Sequence, residues 1–157
     1  MTVAHQLFTG IAVLAAGVIY GTDVFCATVQ RSALGRIDDR SLTRVMGFVH
    51  FYGDKRLPVA GAVSVIATAL AAITAVLNGG ALAIGAGATA VVLMGCWLAL
   101  YLWVSVPVNR QLTAAAREGR TPLDARELQA RWDSVINARA VLQGLAVAAL
   151  FVGGVAG

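Results

Sequence analysis

The sequence predicts an all-α fold, an integral membrane four-helix bundle, and three observations carry that expectation. Four apolar runs are each long enough to cross a bilayer. Of the 157 residues, 59% are hydrophobic and only 13% charged, against about 25% charged in an ordinary soluble chain. All twelve Lys and Arg residues fall in, or just past the end of, two of the three connections between the runs. A soluble domain of this length cannot hide so much apolar surface, and the mean hydropathy of +0.78 agrees. One domain spanning residues 1–157 is expected, because the chain has the length of a single core.

The runs cover about 7–29, 59–77, 81–106 and 135–155, close to the ~20 residues needed to cross ~30 Å of hydrocarbon. None alternates at period two, as a membrane β-barrel strand must. The opening Met-Thr-Val-Ala-His-Gln lacks the basic region of a cleavable signal peptide, so the first run is read as a retained span. Runs two and three are joined only by Asn78-Gly79-Gly80, a helical-hairpin turn. The connection after run one holds Arg31, Arg36, Arg40, Arg44, Lys55 and Arg56. Arg110, Arg117, Arg120, Arg126 and Arg131 follow run three, with Arg139 just inside run four. Basic residues concentrate on the cytoplasmic side. Both long connections, with their amphipathic helices, are therefore expected there and both termini outside, in a multi-pass protein of the cell membrane.

The connections carry helix signals. Ser41 is read as the cap of a short amphipathic helix with Val45, Met46 and Val49 on one face. Gly53 and Pro58 are expected to break or kink the chain before run two. Thr121-Pro122-Leu123-Asp124 reads as the start of a long helix that continues into run four.

The net charge of +4 raises the question of nucleic acid. The basic residues flank apolar spans and form no aromatic-interleaved soluble face, so anionic lipid is the expected partner instead. Cys26 and Cys96 lie within apolar runs without metal-ligand spacing, and no metal is expected. His5 and His50 fall on opposite sides of the bilayer, ~30 Å apart, which rules out a haem held by both; a haem on His50 alone stays open.

Charge inside a span is the best pointer to function, because each such group costs ~2.5–3.5 kcal/mol at a helix centre. Asp23 and Arg139 are the two, at similar depth and of opposite sign, so a direct ion pair is expected. Tyr20 and Gln143 extend their polar face. His50 opens the densest polar stretch, and histidine as a residue type changes charge near neutral pH, which suits a general base. Asp54 lies one turn further on. Trp97, Tyr101 and Ser105 recur at i+4 on run three, on one drifting stripe, and Trp97 and Tyr101 are suited to wall a pocket for a flat apolar ligand. No catalytic triad, nucleotide-binding loop or zinc-protease motif is present.

His50-x-Tyr52-x-Asp54-x-Arg56-x-Pro58, Pro107-Val108-Asn109, Arg131-Trp132-Asp133 and Arg139 together resemble the anthrone oxygenase-like family of small four-helix membrane proteins. The resemblance covers nearly the whole chain in layout, with Leu57 where the family pattern has methionine. It implies oxidation of an activated aromatic ketone by dioxygen without metal, flavin or other cofactor. His50 or Asp54 would be the base, and Arg139 with Asn109 would stabilise the enolate. Tyr52, Arg56, Trp97, Tyr101, Trp132 and Asp23 would contact the substrate. The expected partners are the lipid bilayer and a hydrophobic small molecule, with a homo-oligomer left open. Two readings from other classes stand beside the enzyme: a non-enzymatic interaction or lipid-binding subunit, and a haem protein using His50.

Overall fold

The computed structural model describes residues 2–156 as four long helices: α1 (Val3–Leu34), α2 (Asp39–Asn78), α3 (Ala81–Arg117) and α4 (Ala125–Ala156). Each is long and apolar enough to cross a membrane. They pack as an up-and-down ring, each against its neighbours in the chain, with α1 closing against α4. This is the four-helix bundle expected from the sequence, with lipid as the solvent that fits its exterior. Leu14, Val59, Ile66, Val92 and Phe151 all point outward.

The seam of α1 shows how sequence sets the packing. Its buried residues His5, Thr9, Ala12, Ala16, Ile19 and Asp23 recur every three or four positions. Most are small, and so are their neighbours in the core: Ala12 shares one cluster with Ala67, Ala71 and Ala90, and Ala16 another with Ala146. Lipid is as apolar as leucine, so close backbone approach supplies most of the attraction between such helices. At the other end the seam widens into a core of larger residues, among them Leu42, Met46, Leu112, Trp132 and Ile136. That core joins the helical extensions beyond the apolar runs.

These extensions depart from the sequence reading in three places. First, α2 begins one turn earlier than expected, and Asp38 rather than Ser41 is its cap. Asp38 Oδ1 accepts from the Ser41 amide and Oδ2 from the Ser41 hydroxyl, each at 2.8 Å. These bonds hold the Asp38 carboxyl below the ordinary carboxylate range. Second, Gly53 and Pro58 do not interrupt α2, which runs unbroken for 40 residues. A proline removes one amide and frees one carbonyl four residues back. In a membrane helix packed by neighbours that loss is absorbed. Third, α4 starts at Ala125, not Pro122. The segment before it is a turn closed by the Ala125 amide on the Pro122 carbonyl (3.2 Å).

Two glycines are dictated by geometry. Gly119 (φ +68°) ends α3 in a Schellman motif, with the Arg120 amide on Ala115 O (3.1 Å) and the Gly119 amide on Ala116 O (3.2 Å). A Cβ on Gly47 would collide with Ala116 Cβ and the Leu112 carbonyl, so α2 and α3 touch there backbone to backbone. The Thr113 hydroxyl donates to Gly47 O (3.1 Å) across the same contact. Arg126 ties the connections together: Nε donates to Asp39 (2.6 Å), Nη1 to Leu34 O (3.0 Å), and Nη2 to Ile37 O.

Candidate functional site

The expected ion pair forms, and it is buried. Arg139 Nη2 lies 2.7 Å from Asp23 Oδ1, with side-chain exposures of 7% and 2%. Neither group stands alone. Asp23 Oδ2 accepts from Trp97 Nε1 (3.0 Å), and Arg139 Nη1 donates to the Ser105 hydroxyl (2.6 Å). Both Asp23 oxygens are thus engaged, and its geometry is that of an anchor for Arg139 and Trp97. The guanidinium also sits among three rings, 5.9 Å from Trp97, 5.5 Å from Tyr101 and 5.6 Å from Trp132. Cations are attracted to such faces, more strongly where water is absent.

A second cluster lies nearer the basic connections. Asp54 Oδ1 accepts from both Asn109 Nδ2 (2.9 Å) and the Tyr101 hydroxyl (3.2 Å). Tyr101 stacks on Trp97 with ring centroids 5.9 Å apart and planes 6° from parallel. This stack links the two clusters. His50 packs beside Trp132, ring centroids 5.5 Å apart, and is 5% exposed.

Two π turns make the arrangement, Cys26–Gln30 in α1 and Tyr101–Ser105 in α3. On an α-helix, an i+4 stripe drifts around the axis. A π turn is wider by one residue per turn, and such turns gather at functional sites. Tyr101 and Ser105 thus stay on the Arg139 side of α3, and Cys26 and Gln30 stay on the inner side of α1. The sequence shows no local signature for either turn; the i+4 spacing of Trp97, Tyr101 and Ser105 is the nearest signal.

Between the clusters is a cavity of ≈ 440 Å³, within the range of small-molecule sites. His50, Asp54, Asn109 and Arg139 line it, as do Asp23, Trp97, Tyr101 and Trp132. Tyr52 and Arg56 do not. Tyr52 is half-exposed on another face of α2, edge-on to Phe51, with the Arg56 guanidinium 5.1 Å above its ring. One helical turn carries residues to every side, so the run from His50 to Pro58 cannot serve a single pocket whole. Tyr20 also lies elsewhere, in the space that a side chain on Gly144 would need. Thr22 and Gln30 also line the cavity, and the sequence reading gives neither a role; Ser105 serves the site through its contact with Arg139.

Buried polar atoms without a partner are rare in folded proteins. Around this cavity they cluster: His50 Nε2, Trp132 Nε1, Arg139 Nε, Asn109 Oδ1 and Gln30 Oε1 all lack one. Two are donors, two are acceptors, and the imidazole nitrogen serves as either. Among the described residues, no three His, Cys, Asp or Glu side chains converge as metal ligands would. His5 lies far off near the opposite end of the bundle. Its ring nitrogens face Thr74 Oγ1 (3.0 Å) and Gly153 O (3.3 Å), so it shares no ligand with His50.

Comparison with protein-family models, with curated proteins and with solved structures finds no match to this chain.

Proposed function

We propose that this chain is a membrane-embedded, cofactor-independent oxygenase acting on a lipophilic aromatic ketone. The carrying observation is the set of unpartnered polar atoms around a largely apolar cavity. A flat apolar ligand bearing a carbonyl and a hydroxyl complements them, the carbonyl accepting from the two donors and the hydroxyl donating to an acceptor, which supports a site for such a molecule. The chemistry follows from the residue types. His50 Nε2 takes a proton from a methylene activated by a carbonyl and aryl rings. Arg139 Nε and Trp132 Nε1 donate to the enolate oxygen in a water-poor site, where such bonds are strongest. Asp23 and Ser105 fix the guanidinium, and Asn109, held by Asp54, supplies a further polar contact. The electron-rich carbon then reacts with dioxygen, so that CH₂ and O₂ become C=O and water. The resemblance to anthrone oxygenase-like proteins supports the oxidant and the absence of a cofactor.

The finer topology belongs to the same proposal. Both basic connections face the cytoplasm, both termini face out, and the polar end of the cavity lies on the cytoplasmic side. One-sided Lys and Arg placement supports this.

An oxygen electrode tests the reading with detergent-purified protein and anthrone as probe. The parent is expected to consume dioxygen above the buffer rate, and His50→Ala to lose at least 100-fold while keeping its melting temperature within a few degrees. Full activity in His50→Ala refutes His50 as base. The rival reading, a binding subunit without turnover, predicts anthrone binding with no dioxygen uptake in either protein. A Soret band in the purified parent would favour haem on His50 instead.

A further inference from the structure

The cavity is not uniform along the membrane normal. Every turn of α2 from Val49 to Ile66 contributes to its wall, a length of about 24 Å from His50 to Ile66 at 1.5 Å per residue. At the end nearer the basic connections the lining is polar, with His50, Asp54 and Asn109. From Pro58 onward α2 contributes only apolar side chains and Gly61, joined by Leu98 from α3. In that half, Pro58, Ala62 and Ile66 line the cavity and are also exposed on the exterior of the bundle. The cavity therefore opens sideways along α2, at a depth where the surroundings are hydrocarbon. A polar end near the interface and an open apolar end toward the bilayer middle is the orientation of a membrane lipid.

From this we infer that the ligand carries an apolar chain, which occupies the slot at Pro58, Ala62 and Ile66 while its oxygen-bearing head lies among His50, Trp132 and Arg139. The inference rests on the proposed reading of the cavity as a ligand site and narrows the substrate class to tailed amphiphiles. A water-borne aromatic would use the head end alone and leave the slot to lipid. The chain gains little affinity by moving from bilayer to slot, since both are apolar. Its effect is to hold the head at the right depth and to exclude lipid from the cavity.

The test is equilibrium binding in lipid vesicles with two probes, a benzoquinone bearing a ten-carbon chain and the same ring bearing a methyl group. Both quench tryptophan on contact. A Trp103→Phe background removes the lipid-facing indole, leaving Trp97 and Trp132, which both line the cavity. Saturable quenching by both probes is expected. Ala62→Phe, which fills the slot from its exposed side, should weaken the chained probe at least tenfold and leave the methyl probe within twofold. Val65→Phe repeats the test from the next turn. An equal effect on both probes, or none on either, overturns the chain assignment while the ligand site stands. Absence of saturable quenching by either probe overturns the site and this inference together. Gly53→Leu is the internal control. A side chain there meets only Leu57 Cδ1, at 3.9 Å from its Cβ, and would project into the cavity, so both probes should be lost.

Discussion

Breaking the Asp23–Arg139 pair should destabilise the bundle far more than removing both charges together. The perturbations are Asp23→Asn, Arg139→Gln and the double variant, each close in volume to the parent. The two groups are 2.7 Å apart and almost wholly buried. Removing one partner of such a pair leaves the other desolvated, which typically costs about 3–5 kcal/mol. Asp23→Asn leaves the guanidinium with Ser105 and three rings; Arg139→Gln leaves the carboxylate with Trp97 alone. For a chain of 150–250 residues each kcal/mol shifts the melting temperature by about 2–4 °C, so each single variant should melt about 6–20 °C lower. Neither variant alone measures the pair; the cycle does. In the double variant no buried charge remains, and about 1–3 kcal/mol of the summed loss should return as coupling. The assay is thermal unfolding in one detergent by circular dichroism for all four proteins. Strictly additive losses would refute the argument, because they would mean that the charges do not stabilise one another in the folded state.

Other predictions follow from the extensions and the topology. Gly47→Ala should lose about 1–3 kcal/mol through overpacking against Ala116 and Leu112, despite up to about 1 kcal/mol gained in helix propensity. Gly95→Ala, which meets open space, should be neutral or stabilising, and equal melting of the two variants would contradict the close approach of α2 and α3. Asp38 is a stronger acid when folded than when unfolded. Its contribution to α2 is therefore fully present above the ordinary value of about 3.9 and is lost as pH falls through the lowered folded value; Asp38→Asn should flatten that part of the pH–stability curve, and an unchanged curve would reject the cap. In a background lacking Cys26 and Cys96, cysteines at Ser32 and Glu118 should be labelled only from the cytoplasmic side and one at Gly80 only from outside; the reverse pattern would invert the topology.

The bundle was legible because lipid imposes a length rule on every span. Asp23 and Arg139 were legible as partners because equal depth and opposite charge leave buried groups few alternatives. Trp97 and Tyr101 were legible as neighbours on one helix face, though not as a stack. The π turns were not legible, since extra width in a turn is decided by what packs against it rather than by its own residues. Pro58 was also misleading: local chemistry says break, yet α2 continues through it as one helix. Tyr52 and Arg56 join His50 and Asp54 through the motif that carries the family resemblance, and α-helical geometry turns them onto a different face. The contact of Asn109 with Asp54 spans 55 residues and depends on how α3 crosses α2. No local pattern specifies such a crossing.

The central claim is that the cavity removes a proton from a lipophilic carbon acid through His50. Hydrogen–deuterium exchange at the acidic methylene of anthrone, followed by mass spectrometry in deuterated buffer without dioxygen, isolates that step from the oxidation. The parent should accelerate exchange well above the buffer rate, and His50→Ala should return it to that rate with the fold intact. Exchange at the buffer rate in the parent, or undiminished acceleration in His50→Ala, would contradict the claim.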